Sequence, residues 1–179
     1  YFERLSLSTE LAGLQVSASA YFMTGNDLEP PPVLDSKIAK ELGISVTQMA
    51  SDRSKSNADL ELGRRFALGA NLNLTYDNHG KRLIIRVNAG AGFEFYCLNF
   101  GTDRRCPSGY GPPIGSNGWR ASGLIYLYAN VYVKFWGVSA NPGLGLMVNG
   151  QVPNPNYFEA YLKIIGIKIN FKIGESCPL

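Results

Sequence analysis

Between Arg82 and Cys97 every second side chain is apolar. Leu83, Ile85, Val87, Ala89, Ala91, Phe93, Phe95 and Cys97 alternate with Ile84, Arg86, Asn88, Gly90, Gly92, Glu94 and Tyr96. Successive Cβ atoms of a strand point to opposite faces, so a period of two held this long predicts one extended β-strand. Ordinary strands run about five or six residues, and one of this length predicts a coiled sheet, a barrel or an extended assembly. The same rhythm recurs along the chain. Leu5 and Leu7, then Leu14 to Phe22, predict a hairpin turning between Glu10 and Gly13; Phe66 to Tyr76 predicts a strand that turns through Asp77, Asn78, His79 and Gly80 into the long one. Asn78 and Gly80 tolerate the positive φ that a tight hairpin needs. From Gly123 to Trp136, Ile125, Leu127, Ala129, Val131, Val133 and Phe135 lie opposite Tyr126, Tyr128, Asn130, Tyr132, Lys134 and Trp136. A shorter strand runs through Leu144, Leu146 and Val148, and a last one from Tyr157 to Ile173.

The interruptions have their own logic. Gly25, Asn26, Asp27 and Pro30 to Pro32 stop the sheet, because proline has no ladder donor and a fixed φ. Asp35 or Ser36 is placed to cap a short helix, Lys37 to Leu42, with Ile38 and Leu42 on one face and Gly43 as its stop. Residues 45–62 are polar, with a surface loop at 51–57. The glycines, prolines and charges between Leu98 and Ser122 predict a long irregular connection. The fold class that follows is all-β: an antiparallel sheet of about seven long strands closing as a barrel-like or sandwich structure, with one short helix in the 33–62 connection. Residues 1–179 read as a single β-rich domain or a fragment of a larger protein.

Composition narrows the function. Charged residues are 17% of the chain, and 17 basic against 14 acidic residues are scattered without a basic run, which argues against a nucleic-acid partner. No apolar run reaches the roughly 18 residues of a membrane-spanning helix. Cysteines 97, 106 and 177 make no Cys-x-x-Cys pair, and the one histidine, His79, lies in a turn, so no metal site and no cofactor is expected. Cys97 and Cys106 flank a short loop and are the candidate disulfide, with Cys177 as another partner for Cys106 and a buried free Cys97 as the alternative. Asp52, Asp59 and Glu61 sit among Arg53, Lys55, Arg64 and Arg65 and read as a solvated loop. Glu94 reads as a cross-strand hydrogen-bonding group, and Asp103, Arg104 and Arg105 as a loop tip. No catalytic constellation stands out, and the chain is expected not to be an enzyme.

Several short blocks, in consistent order from about residue 20 to the end, resemble the TANFOR-domain proteins. They are Tyr21-Phe22-Met23-Thr24-Gly25, Glu41-Leu42-Gly43, Phe66-Ala67-Leu68-Gly69-Ala70, Asn88-Ala89-Gly90-Ala91-Gly92-Phe93, Pro113-Ile114-Gly115-Ser116-Asn117-Gly118-Trp119, Pro153-Asn154-Pro155 and Ile173-Gly174-Glu175-Ser176-Cys177. The resemblance implies a large, β-rich exported protein at the cell surface or outer membrane of a Gram-negative bacterium, continuing past Leu179, with no reaction to transfer. It departs near Ile167, where such proteins tend to carry a second cysteine.

The functional expectation is a non-enzymatic structural or protein-interaction module whose strand edges pair with other chains or with copies of itself. The alternatives are an outer-membrane β-barrel segment, in which the aromatic stripe belongs to a girdle, and a glycan-binding surface built on that stripe of Tyr126, Tyr128, Tyr132 and Trp136. Long acidic loops and a closing aromatic residue, expected of a membrane barrel, are not evident in the chain.

Overall fold

The computed structural model describes residues 1–25, 36–43, 65–106 and 111–175. Nine strands and one helix form among them: β1 Phe2–Leu11, β2 Leu14–Gly25, α1 Ser36–Leu42, β3 Arg65–Asp77, β4 Leu83–Asn99, β5 Trp119–Phe135, β6 Val138–Ala140, β7 Gly143–Val152, β8 Tyr157–Ile164 and β9 Ile167–Gly174. All pair antiparallel in one sheet of order β1-β2-β3-β4-β5-β7-β8-β9, with β6 beside β5. The sheet is a meander in which each strand lies beside its sequence neighbour, except that β6 and β7 both pair with β5, and it does not close. β1 and β9 are its edges.

Three of the turns are two residues long and end in glycine: Ala12-Gly13, Trp136-Gly137 and Ile165-Gly166, each pair with positive φ at both positions. This is the backbone that matches the twist of flanking strands in a tight hairpin. A two-residue turn reverses the parity of outward-facing residues. In β8 the apolar set is even-numbered, Phe158, Leu162 and Ile164; in β9 it is odd-numbered, Ile167, Ile169, Phe171 and Ile173. The expected single strand from Tyr157 to Ile173 is therefore two, broken at Ile165-Gly166. Likewise Trp136 is a turn residue rather than a strand residue. β5 also begins at Trp119, four residues before the expected start, because Trp119 and Ala121 continue its alternation against Asn99 and Cys97.

The two ends of the sheet differ. The three glycine turns and the 78–82 loop lie at one end, whereas the strand ends Gly25 and Arg65, the strand ends Asn99 and Trp119, and residues 153–156 lie at the other. Helix α1 stops where Gly43 takes φ +65° and donates its N–H to the Lys40 carbonyl at 3.2 Å. The helix lies across β5, β7 and β8. Ile38, Ala39 and Leu42 meet Leu124, Tyr126, Tyr128 and Met147, with Tyr161 alongside.

Candidate functional site

The two faces of the sheet are opposite in chemistry, and the polar one is covered by α1 over β5, β7 and β8. Reading one register row across the eight-strand path gives Leu7, Ala18, Leu72, Ala91, Leu127, Leu146, Leu162 and Ile169. The next row on the same face gives Leu5, Ala20, Ala70, Phe93, Ile125, Val148, Ala160 and Phe171. The row between them, on the other face, gives Ser6, Ser19, Asn71, Gly92, Tyr126, Met147, Tyr161 and Asn170. The apolar face is bare: Leu7 is 70% exposed, Ile125 61% and Phe171 58%. Tyr126 and Tyr128, on the opposite face, are each 1% exposed.

Glycine makes this covered face. A Cβ at Gly92 would stand 2.6 Å from the Tyr126 hydroxyl, and one at Gly90 would stand 2.6 Å from the Tyr128 ring; each tyrosine lies over the glycine it pairs with. Tyr21 likewise lies over Gly69 and reaches two strands across, donating its hydroxyl to Glu94 Oε2 at 2.6 Å. Glu94 is thus a buried cross-strand acceptor, as its place on the strand predicts. Farther along, Glu159 accepts from the hydroxyls of Tyr157 (2.6 Å) and Tyr161 (2.7 Å), and Arg120 donates to Gln151. Glu41 of α1 accepts from Asn130 Nδ2 at 3.1 Å and meets Lys163 Nζ at 3.7 Å, tying the helix to β5 and β8. Gly145 admits the helix, since a Cβ there would stand 2.8 Å from Leu42 Cδ2.

The expected aromatic stripe is not assembled as an exposed surface. Tyr126 and Tyr128 are under α1, Tyr132 stacks with the Arg86 guanidinium at 5.9 Å, and Trp136 projects from its turn at 81% exposure. An aromatic ladder exists elsewhere: Tyr1, Phe22, Phe66 and Phe95 meet edge to face at 6.2, 5.3 and 6.4 Å, with the three phenylalanines on the bare face near the long connections. Cys97 is a free thiol, so the expected Cys97–Cys106 disulfide is not made. Its place in an outward-facing row of β4 points the side chain along the sheet's bare face rather than into the loop. Cys177, Asp52, Asp59 and Glu61 lie outside the described residues.

At the glycine-turn end, beyond the apolar rows, Asp77 accepts from the His79 backbone N–H at 2.8 Å and pairs with Arg86 Nε at 2.7 Å. The His79 N–H and then the Arg86 guanidinium hold its carboxyl below the usual carboxylate range. Among the described residues no group of three or more His, Cys, Asp or Glu side chains could hold a metal ion, and no helix is long and apolar enough to cross a membrane. Residues not singled out from sequence, Glu41, Arg120, Gln151, Glu159 and Lys163, face the helix-covered side. The signal for the four strand residues was parity: Arg120, Gln151, Glu159 and Lys163 each fall on the polar register of their strand, whereas Glu41 lies on α1. No family model, curated protein or solved structure matches the chain.

Proposed function

We propose that this chain is a wall of an outer-membrane-type β-barrel, a structural, membrane-embedded part of an exported protein, with the bare face toward lipid and α1 and the tyrosines toward the interior. The observation that carries this reading is the inversion of the faces: Ile125, Leu127 and Phe171 stand exposed while Glu94, Arg120, Tyr126 and Gln151 are buried. In water the reverse is favoured, because each large apolar side chain left exposed forgoes about 1.5–3 kcal/mol of burial. Soluble monomers rarely show contiguous apolar patches beyond a few hundred Å². In a bilayer the same sheet is at rest, and backbone groups are satisfied between strands.

Three further features agree. Strands alternate apolar outside and polar inside, aromatic rings gather where the apolar rows end, and tight turns at one end oppose long connections at the other, all of which membrane barrels share. The resemblance to exported, β-rich surface proteins agrees with it as well. Cysteine labels placed one at a time from Ile167 to Phe171, in a Cys97→Ala background, test the reading in reconstituted vesicles. Labels at 167, 169 and 171 are expected to be quenched by a lipid-soluble quencher, and those at 168 and 170 by a water-soluble one. A chain that stays folded and monomeric in detergent-free buffer refutes the proposal. A detergent-free folded dimer favours a protein-interaction module instead, with the apolar face covered by a second copy.

A further inference from the structure

We propose that the tight-turn tip of β4 and β5 carries a binding site for a phosphate group, either free or on a lipid headgroup, the second source resting on the membrane placement above. A pocket of about 530 Å³ opens there, lined by Lys81, Arg82, Ile84, Lys134, Trp136 and Gly137, and this is the size range of small-ligand sites. Its charge is of one sign. Asp77, the carboxylate of the neighbouring turn, is engaged by Arg86 and by the His79 backbone and lies 3.6 Å from His79 Nδ1. Among the described residues Lys81, Arg82 and Lys134 meet no carboxylate. Three cations converging on one small space repel one another, and an anion placed between them relieves that repulsion.

The scaffold holds two of these cations in place. Asn78 Oδ1 accepts from the backbone N–H groups of Gly80 (3.2 Å) and Ile85 (2.9 Å), and Asn78 Nδ2 donates to the Leu83 carbonyl at 2.9 Å. Gly80 is packed so closely that a Cβ would fall 1.9 Å from the Leu83 carbonyl oxygen. The loop presenting Lys81 and Arg82 is therefore braced at both ends. Opposite, Trp136 occupies the first turn position with φ 49°, a conformation that bulky side chains seldom adopt and that Asn or Gly would take with less strain. The turn accepts that strain and sets an indole beside the cations.

On the bare face the adjoining register row is Leu83, Phe135 and Val138, exposed by 40, 53 and 74%. That row lies across the sheet from Ile84 and Lys134, so a phosphate seated among Lys81, Arg82 and Lys134 has the indole of Trp136, not the apolar row, beside it. A free phosphate offers the same anion without acyl chains.

The experiment uses the full chain with Trp119→Phe, leaving Trp136 as the one reporter of the two tryptophans. Its emission is followed in phosphatidylcholine vesicles, in vesicles with added phosphatidylglycerol, and in detergent titrated with inorganic phosphate. A saturable response to phosphatidylglycerol but not to phosphate assigns the site to lipid, and a response to both assigns it to the bare anion. Combined Lys81→Ala, Arg82→Ala and Lys134→Ala substitutions should weaken that response about a hundredfold, at roughly fivefold per cation, while Lys81→Arg with Lys134→Arg retains it. If the triple variant responds as the parent does, the proposal is overturned. So is it if the parent inserts into phosphatidylcholine vesicles, judged by protease protection, yet answers neither anion; that outcome leaves the membrane reading standing. Failure to insert in any vesicle removes the membrane reading, and the phosphate titration in detergent then decides the pocket alone.

Discussion

Replacing Leu127 by arginine asks which solvent the bare face meets. Leu127 is the central residue of β5, eight positions from Trp119 and eight from Phe135. Its row is apolar across all eight strands of the path. A strand rises about 3.3 Å per residue, or about 2.5 Å along the membrane normal at a tilt of about 40°. Leu127 then lies about 20 Å from either end of β5; were β5 a strand of a membrane barrel, it would sit deep within a hydrocarbon layer about 30 Å thick and Phe135 would lie outside it. Leu127→Arg should cost about 2–4 kcal/mol and Phe135→Arg about 0–1 kcal/mol, following the depth dependence of lipid-facing cations in barrels. Both side chains are partly exposed, at 37% and 53%, so on a water-facing surface either change would fall within about 0.5 kcal/mol. Equilibrium denaturant unfolding in vesicles reads the difference directly. A Leu127→Arg variant as stable as the parent, or one more soluble without detergent, refutes the argument, whatever Phe135→Arg does.

Other substitutions probe the covered face and the turns. Gly145→Leu drives a side chain into Leu42 and should cost about 1–3 kcal/mol, with α1 becoming more susceptible to limited proteolysis. Glu41→Ala removes the acceptor of Asn130 and the partner of Lys163 and should lower stability by about 1–2 kcal/mol, whereas Glu41→Gln keeps the hydrogen-bond acceptor and loses less; denaturant midpoints compare them. Asp77 has a folded-state carboxyl held low by the His79 N–H and then Arg86. Its contribution is therefore present above the ordinary carboxylate range and disappears as pH falls through the lowered folded value. Midpoints measured from neutral to acid pH should converge for the parent and Asp77→Asn at the acid end and separate toward neutrality; curves that run parallel throughout contradict that sign.

Much of this fold is legible in residue parity. The hairpin of β3 and β4 follows from Leu68, Leu72 and Leu74 against Phe95, Ala91 and Ala89, and α1 from Ile38 and Leu42 bounded by Gly43. The Ile165-Gly166 turn is also written in parity, but isoleucines continue through it, so hydrophobicity alone hides the break that the shift from Ile164 to Ile167 reveals. Which face is covered is not carried by alternation at all. A strand of Ile125, Tyr126, Leu127 and Tyr128 reads identically whether leucine or tyrosine faces inward. The deciding information is the glycines at 90 and 92, which make room for Tyr128 and Tyr126, and that needs the register between β4 and β5. The expected Cys97–Cys106 pairing fails for the same reason: the two are close in sequence, but the face of β4 on which Cys97 lies is set by strand pairing.

The helix on the covered face bears on how the sheet is completed. The path from β1 to β9 has eight strands, an even number, so its two edges run antiparallel and match the geometry that closes a barrel. An eight-stranded barrel, however, has an interior only wide enough for side chains, and an α-helix with its side chains is about 10–12 Å across. Tyr126, Tyr128 and Tyr161 already project from the wall beneath α1, with Ile38 and Leu42 above them. A ring of these eight strands alone therefore cannot enclose both the tyrosines and the helix. In the membrane reading the backbone groups of β1 and β9 still require partners, and those partners are other strands, which widen the wall until α1 fits. The bare apolar rows run to both edges, Leu5 and Leu7 on β1 and Ile169 and Phe171 on β9, so strands that join there extend the same lipid-facing band without interrupting it.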